Sequence, residues 1–384
     1  MEQFDVVIVG SGLVGAAVAW ELSRAGVRTA VLEASNEIAA GASRSNSGLL
    51  CTGFDSEPGT LETEMILEQG RRWRPVFDSL GIPYRIPGAL VLAHDEAQEA
   101  RLPALARNAS QNGVETTLLD RAEVARREPG VRARAALLVP AEAITDPYEV
   151  VRGLLSQTPE VRLEWPVREV SSVNGGAEVA GPAGRIAARF VINCAGLYAD
   201  EVAADGAFQI TPRRGEFLAF GEGSAERIRH ILLPVPSGRT KGVLLFPTVH
   251  GRLCAGPSAI DQVDKEDWRP RANELSRIRA RAAEILPELA SVKPVAAWAG
   301  LRPVGHPRNY YVGWSSRVPS MLSIAGIRST GLSSCLGLSS LALRLLEERG
   351  LESRGRELRP LTPAAESMPV PWWERLNRLR NWSG

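Results

Sequence analysis

The sequence predicts an α/β protein that folds as two domains, and three observations support this fold class. First, its 384 residues, 44% of them hydrophobic, are more than one simple core needs and can form two packed units. Second, a β-branched run at residues 4–9, an Ala- and Leu-rich segment up to residue 24 and a second strand at 28–33 form a βαβ opening. Third, strand and helix patterns of the same kind return near residues 186–200 and 321–348, so the first domain is assembled from separated segments.

The stretches between these segments predict the second domain. Apolar runs such as GALVLA and KGVLLFPTV alternate with turns there, as expected for the strands of a sheet. The predicted boundaries are 1–80, 145–205 and 295–350 for the first domain, 81–144 and 206–294 for the second domain, and 351–384 for a C-terminal tail.

The composition excludes several function classes. With 45 basic and 44 acidic side chains, the chain has no global field that would attract nucleic acid. Its four cysteines form no CxxC pair and no ligand-like spacing, which argues against a metal site and a disulfide framework and favours a reducing compartment. The sequence has neither a signal-peptide pattern nor an uninterrupted apolar stretch long enough to span a membrane. We therefore predict a cytoplasmic protein without nucleic acid or metal.

The tail is the segment that suggests a partner. It ends PVPWWERLNRLRNWSG, in which Trp372, Trp373, Leu376 and Leu379 fit one side of a short helix. Such a side predicts packing on the chain's own domain or, alternatively, contact with a partner subunit or peripheral contact with a membrane surface.

A glycine-rich loop joins the first predicted strand to the first helix. It reads G-S-G-L-V-G, with its glycines at Gly10, Gly12 and Gly15. The first glycine permits a tight turn, the second lets backbone approach a pyrophosphate, and the third lets helix and strand pack closely. Glu33 ends the second strand, where a carboxylate accepts hydrogen bonds from ribose hydroxyls. The loop predicts a dinucleotide site, and its N-terminal place together with nucleotide-binding pieces spread along the chain favours FAD over NAD.

Seven motifs in order carry a resemblance to a known family. They are GSGLVG, SNSGLLCTGFDSEPGTL, INCAGLYAD, TPRRGEF, TKGVLLFPTVHGRLCAGPSA, AGLRP and AGIRSTGLSS. From residue 4 to about residue 348 the chain resembles the FAD-dependent family of glycerol-3-phosphate dehydrogenases and oxidases and L-2-hydroxyglutarate dehydrogenases, within the D-amino-acid-oxidase-like group. The resemblance implies a Rossmann-like, discontinuous FAD-binding domain and a second, mainly antiparallel α+β substrate domain that covers the flavin.

The resemblance also implies which residues hold the cofactor. Ala195 and Gly196 match a second FAD contact, and the helix that follows Gly331 matches one that begins beside the isoalloxazine ring. A helix N-terminus there stabilises the negative charge that hydride brings to the flavin. The implied cofactor-binding residues are Gly10, Gly12, Gly15, Glu33, Ser43, Arg44, Ser47, Gly48, Val167, Ala195, Gly196, Gly326, Ser329, Gly331 and Leu332.

Basic residues recur on the substrate side of the family. They correspond to Lys241, to Arg302 and to the pair Arg213 and Arg214, with Ser329 nearby as a further substrate contact. A guanidinium grips a carboxylate or phosphate with two prongs and so fixes the reacting C–H. Arg302 is the strongest candidate for this role, whereas Arg213 and Arg214 fit an ordinary structural ion pair equally well.

One position departs from the family pattern. The loop of these enzymes usually reads SGxxHxG, and its histidine takes the hydroxyl proton, but this chain has Cys51 there. A thiol, with a reference pKa of about 8.5, is mostly protonated at neutral pH. Either another base acts, with His306 and His250 as candidates, or the substrate is an amine that needs no such base. In a third interpretation Cys51 attaches the flavin or is a small buried filler.

Three functions follow from these observations. The first is an FAD-dependent dehydrogenase or oxidase that removes hydride from the hydroxyl-bearing carbon of a small anionic substrate, with Cys51, Arg302, Lys241 and His306 as candidate catalytic residues. Its electrons pass to oxygen, a quinone or a partner. The second is an amine or amino-acid oxidase or dehydrogenase, and the third is an FAD-binding subunit of a larger electron-transfer complex.

Overall fold

A computed structural model describes residues 2–158, 160–236 and 242–353 of the chain. In chain order its strands are β1 (Glu2–Val9), β2 (Thr29–Leu32), β3 (Leu49–Leu50), β4 (Tyr84–Arg85), β5 (Ala89–Ala93), β6 (Thr117–Asp120), β7 (Ala135–Val139), β8 (Ala143–Thr145), β9 (Val161–Arg162), β10 (Glu169–Val173), β11 (Gly176–Gly181), β12 (Gly184–Asn193), β13 (Gln209–Glu222), β14 (Ile231–Pro234), β15 (Leu244–Pro247), β16 (Arg252–Gly256), β17 (Ile260–Asp261), β18 (Ala296–His306), β19 (Tyr311–Trp314) and β20 (Met321–Ala325).

Helices alternate with these strands. They are α1 (Leu13–Arg24), α2 (Leu61–Leu80), α3 (Glu96–Glu99), α4 (Leu102–Gln111), α5 (Arg121–Arg127), α6 (Pro147–Leu155), α7 (Ala199–Ala203), α8 (Ala272–Ile285) and α9 (Cys335–Glu348). Within the described ranges, none of them is long and apolar enough to cross a membrane. The predicted tail contact falls on residues 354–384, which lie outside the described residues.

The first sheet contains the predicted βαβ opening. Its order is β10-β11-β12-β1-β2-β9, with β20 beside β12 and β19 beside β20. Strand β1 pairs in parallel with β2 and β12, and β12 pairs in parallel with β20. The carboxyl ends of β1, β2, β12 and β20 therefore meet at one edge, which is where open α/β sheets bind their ligands.

The core forms on both faces of this sheet. Along β1, Val6 and Ile8 pack toward α1, α6 and α9, whereas Val7 and Val9 pack on the opposite face. This alternation follows from the two-residue period of a strand, and a parallel sheet covered on both faces needs apolar side chains at every position. The small side chains of α1, among them Ala16 and Ala17, are fully buried and let the helix lie close to the sheet.

The second sheet is mainly antiparallel, as predicted. Its order is β17-β13-β16-β15-β14-β5-β7-β6, with β18 along β13. Among its described strands only β14 and β5 pair in parallel. A small third sheet of β3, β8 and β4 joins the two domains. The predicted α/β class with a second, mainly antiparallel domain is thus confirmed.

Strand β18 marks a difference from the predicted domain boundaries. It pairs with β13 from Gln209 opposite His306 to Ala219 opposite Ala296, and so belongs to the second sheet. The sequence-based boundary at residue 295 placed this strand in the first domain. A strand rich in Ala and Gly and buried on both faces carries no local sign of which sheet it joins.

Candidate active site

The glycine loop has the close contacts that the sequence predicts. Gly10 has a φ of 101°, and a Cβ there would lie 2.6 Å from the Cys194 carbonyl oxygen. A Cβ on Gly15 would lie 2.0 Å from the Gly10 carbonyl oxygen, so only glycine lets α1 approach the turn. A Cβ on Gly12 would lie 2.9 Å from Ser43 Oγ. The loop therefore turns tightly at Gly10 and packs closely at the other two positions.

Glu33 lies at the carboxyl end of β2, beside the glycine loop. Its Oε2 accepts hydrogen bonds from Ser11 N at 2.9 Å and from Ser11 Oγ at 2.6 Å. Its Oε1 accepts from Ser35 N at 2.9 Å. These three donors fix the orientation of the carboxylate toward the edge where the parallel strands end.

A cleft of about 700 Å³ opens at this edge of the first sheet. Its volume is within the range of small-molecule and cofactor sites. Nine of the predicted cofactor residues line it, namely Gly10, Gly12, Glu33, Ser43, Val167, Ala195, Gly196, Gly326 and Gly331. Segments more than 300 residues apart in the sequence thus form one binding surface.

The other predicted cofactor residues lie beside this cleft. Arg44 is buried and ion-paired with Glu37. Gly48 has a φ of 81°, and a Cβ there would lie 2.4 Å from the Thr145 carbonyl oxygen. Asn46 Nδ2 donates to the Ser329 carbonyl oxygen at 3.4 Å, which joins the loop of residues 43–48 to the segment before α9. Ser47 is partly buried and Leu332 is fully buried.

Cys51 follows the same loop and is held against the start of α9. Its backbone N–H donates to Ser333 Oγ at 2.8 Å, and its partly buried side chain packs on an apolar cluster that includes Phe217 and Trp298. The next residue, Thr52, donates from N and from Oγ1 to the buried carboxylate of Glu142, each at 2.8 Å. The position of Cys51 is therefore fixed by bonds on both sides of it.

Arg302 shares one face of β18 with residues that touch the loop of residues 43–48. Side chains alternate along a strand, so Trp298, Gly300 and Arg302 lie on the same face. Trp298 Nε1 donates to the Ser45 carbonyl oxygen at 3.4 Å, and a Cβ on Gly300 would lie 2.2 Å from Ser45 Oγ. Across the sheet Arg302 lies over Gly215, where a Cβ would be 2.1 Å from its Nη2. The guanidinium thus occupies space that Gly215 leaves open.

Arg302 has charged neighbours but, in the part of the chain that the structure describes, no carboxylate in direct contact, since the carboxylates of Glu216 and Asp261 favour its charged form from nearby. Its Nη2 donates to the Ser258 carbonyl oxygen at 3.0 Å, and within the described residues no carboxylate forms an ion pair with it. The buried carboxylate of Glu216 instead accepts a hydrogen bond from Ser258 Oγ and another from Arg271 N at 3.2 Å. Burial, together with the nearby charge of Arg213, lowers the pKa of Arg302 to about 10.

The two other arginines of the predicted substrate group are engaged in protein contacts. Arg213 forms a bidentate ion pair with Asp261, which lowers the pKa of that carboxyl. Arg214 is fully buried, and its three nitrogens donate to Gln262, Asp267 and the Arg269 carbonyl oxygen at 2.7–2.8 Å. The contacts of Arg214 are those of a structural residue, so its predicted place in the substrate site has no support in this geometry.

The candidate bases differ in their surroundings. His306 is exposed at the end of β18. His250 Nε2 and Asp146 Oδ2 are 2.6 Å apart and form a hydrogen bond, and Asp146 also caps α6. Lys241 lies outside the described residues. No group of His, Cys, Asp and Glu in the described ranges has the arrangement of a metal site.

Comparison with known proteins identifies the family. The family described as FAD dependent oxidoreductase matches residues 5–345. The chain belongs to this family. It is 28% identical to a glycerol 3-phosphate dehydrogenase of Caloramator mitchellensis over 354 residues, 90% of this chain and 74% of that protein. It is 27% identical to an L-2-hydroxyglutarate dehydrogenase of Escherichia coli O17:K52:H18 over 281 residues, 70% of this chain and 67% of that protein.

A solved structure supports the fold. The reduced L-α-glycerophosphate oxidase of Mycoplasma pneumoniae with FAD bound superposes with a TM-score of 0.85 and 24% identity, covering 96% of this chain and all of that one. The predicted resemblance and the predicted cofactor are both confirmed. The chain is an FAD-dependent oxidoreductase, and the cleft suits FAD because bare glycine backbone and helix α1 face it where a pyrophosphate needs donors.

Several residues of this flavoenzyme site were not predicted from the sequence. Arg328 lines the cleft with a φ of 54° and is ion-paired with Glu62, whose Oε1 also accepts from Thr330 Oγ1 at 2.7 Å. Tyr198, Glu266 and Trp268 line the cleft as well. Arg328 lies between Gly326 and Gly331, and these predicted cofactor residues could have indicated its place in the cleft. Nothing in the sequence connects Trp268 or Glu62 with the cofactor.

Proposed function

We propose that this FAD-dependent oxidoreductase removes hydride from the hydroxyl-bearing carbon of a small anionic substrate, of the glycerol-3-phosphate or 2-hydroxyacid type. FAD supplies the hydride acceptor when bound. The electrons then pass to oxygen, a quinone or a partner protein. The observation that carries the proposal is that Arg302, on the face of β18 that packs on the loop of residues 43–48, forms no ion pair with a carboxylate of the described residues.

The charge of Arg302 supports an anionic substrate. A partly buried cation without a paired carboxylate gains from an anion, because the anion restores the stabilisation that partial burial removed. A guanidinium also binds carboxylate or phosphate with two parallel hydrogen bonds. The hydrogen bond from Nη2 to the Ser258 carbonyl oxygen fixes the orientation of the guanidinium. Arg302 therefore holds and orients the anionic end of the substrate.

The sequence relatives support a substrate that bears a hydroxyl group on its reacting carbon. Glycerol 3-phosphate and L-2-hydroxyglutarate, which name the two dehydrogenases compared above, are both anionic hydroxy compounds. Removing hydride from such a carbon requires the hydroxyl proton to leave as well. With cysteine at position 51, the proton acceptor on the substrate side is supplied by another residue or by water, and His306 and His250 remain candidates.

Cys51 itself favours a second candidate function, the oxidation of an amine or amino acid. A neutral amine gives up hydride without first losing a proton from oxygen, so this chemistry needs no histidine at position 51. The two functions share the same cofactor and the same anionic grip by Arg302. They differ in whether the reacting carbon of the substrate bears a hydroxyl or an amino group, so identifying that group distinguishes the two functions.

Flavin reduction under anaerobic conditions tests the proposal. The oxidised protein is mixed with glycerol 3-phosphate, with 2-hydroxyacids and with amino acids, and the flavin absorbance is recorded. We expect the absorbance to fall with a hydroxy anion. Reduction by amino acids alone would establish the second function, and reduction by none of these compounds would favour an FAD-binding subunit of an electron-transfer complex.

We expect Cys51→Ser to change turnover less than about threefold, because serine is close to cysteine in size and keeps a small side chain at this partly buried packing position. The hydrogen bond from its backbone N–H to Ser333 Oγ does not depend on the side chain. Steady-state turnover with the substrate found above measures the effect, and Cys51→Ala provides the comparison without any polar atom. Near-complete loss of activity in both variants, with FAD still bound, would instead give the thiol a chemical role.

A further inference from the structure

The segment of residues 262–271, here called the strap, runs from the second domain to the cofactor cleft of the first. It connects β17 to α8. Two of its side chains, Glu266 and Trp268, line the cleft together with Tyr198 and Glu201 of the first domain. The Trp268 side chain also packs on the apolar cluster that contains Val7 and Val9, on one face of the first sheet. One wall of the cofactor cleft therefore comes from the domain that was expected to hold only the substrate.

Arg214 anchors the strap to the second sheet. Its Nη2 donates to the Asp267 carbonyl oxygen and to Asp267 Oδ2, at 2.8 and 2.7 Å, and its Nη1 donates to the Arg269 carbonyl oxygen at 2.8 Å. Hydrogen bonds from Arg214, which has the larger effect, and from Arg269 hold the pKa of Asp267 well below its ordinary value. The carboxylate is therefore charged at neutral pH, and this end of the strap is fixed.

Lys265 joins the other side of the strap to the first domain. Its Nζ forms ion pairs with Asp200 Oδ1 at 3.0 Å and with Glu201 Oε1 at 2.7 Å, both on α7. The same Nζ lies 5.5 Å from the centre of the Tyr198 ring, and the Tyr198 hydroxyl donates to Glu266. The Lys265 and Asp200 side chains are 17% and 19% exposed, so this ion pair is partly protected from solvent, whereas the Glu201 side chain is exposed.

We propose that the strap belongs to the cofactor site. Trp268 forms the outer wall of the cleft against FAD, and the ion pairs of Lys265 hold the strap closed over it. An indole offers a large, rigid apolar surface to a flat ligand ring. FAD leaves the cleft when the strap opens, and opening requires the ion pairs of Lys265 to break. This role needs no substrate and goes beyond the proposed function.

The rate of FAD release from Lys265→Met tests the ion pairs. Release from the full-length protein is followed by the rise in flavin fluorescence. We expect release to be about tenfold faster than from the wild type, because one partly buried and one more exposed ion pair are lost. We also expect KCl to accelerate release from the wild type, since salt screens these pairs, and to have much less effect on the variant. Lys293→Met is the matched control, because Lys293 is an exposed lysine of the same domain, away from the cleft.

Trp268→Ala tests the wall separately. We expect its dissociation constant for FAD to rise about tenfold by loss of the indole contact. If this variant folds poorly, as judged by circular dichroism of the FAD-free protein, Trp268→Phe retains a ring and should give an intermediate value. If Lys265→Met released FAD at the wild-type rate, the ion pairs of Lys265 would not hold the strap closed. If both Trp268 variants bound FAD with the wild-type dissociation constant, Trp268 would not form a wall of the cofactor site.

Discussion

Replacing Arg302 with alanine is expected to lower kcat/KM for the anionic substrate by about 100-fold or more, through loss of a partly buried, charge-assisted contact. The change should appear mainly as a higher KM, because Arg302 holds the end of the substrate that does not react. FAD should remain bound, since Arg302 does not line the cofactor cleft. Steady-state kinetics and the flavin absorbance of the purified variant measure the two effects together.

Two further variants control this experiment. Arg302→Lys keeps the charge but not the planar pair of donors, and it should recover only part of the lost activity. Arg281→Ala removes an exposed arginine on α8 that is ion-paired with Glu284, and it should leave kcat/KM unchanged. If Arg302→Ala lost its flavin, or bound substrate like the wild type, Arg302 would be a structural residue and the proposed anion site would be wrong.

The second large effect is expected for Gly15→Ala. Its Cβ would lie 2.0 Å from the Gly10 carbonyl oxygen, so α1 would have to move away from the loop that faces the cofactor. We expect FAD affinity to fall about 100-fold or more, because the helix N-terminus no longer meets the pyrophosphate. We also expect the free energy of unfolding to fall by about 1–3 kcal/mol from overpacking. Flavin content after purification and thermal unfolding of the FAD-free protein measure the two changes.

Gly70→Ala is the matched control for this substitution. Gly70 is exposed in α2, and a Cβ there would have no atom within 4 Å. In an exposed helix interior, alanine should raise the free energy of unfolding by up to about 1 kcal/mol and leave FAD affinity unchanged. An equal loss of flavin in both variants would show that the loss does not come from the contact between Gly15 and Gly10.

The parts of the site that local sequence specifies were predictable. The roles of Gly10 and Gly15 depend on a strand, a turn and a helix within fifteen residues, and that spacing is itself a physical constraint. Glu33 was predictable for the same reason, because it ends the strand that follows. The position of Cys51 on the substrate-side loop, in contrast, came from the family resemblance.

The parts that depend on distant partners were not predictable. Arg214 has the same sequence context as Arg213, yet its partners lie 48 to 55 residues away in the strap and bury it completely. The sheet to which β18 belongs is decided by its pairing with β13, which no local pattern records. The place of Trp268 in the cofactor cleft depends on the same long-range packing, so a lone tryptophan in a charged loop gave no signal.

Anaerobic reduction of the bound flavin tests whether the carbon that gives up hydride bears a hydroxyl group. The compounds are used in pairs that share one carbon skeleton, namely L-2-hydroxyglutarate with L-glutamate, and glycerol 3-phosphate with its 2-amino counterpart. Each pair keeps the anionic group that Arg302 would bind and changes only the group on the reacting carbon. We expect the flavin absorbance to fall with the hydroxy member of one pair and not with its amino member. Reduction by the amino member, with the hydroxy member inert, would contradict it.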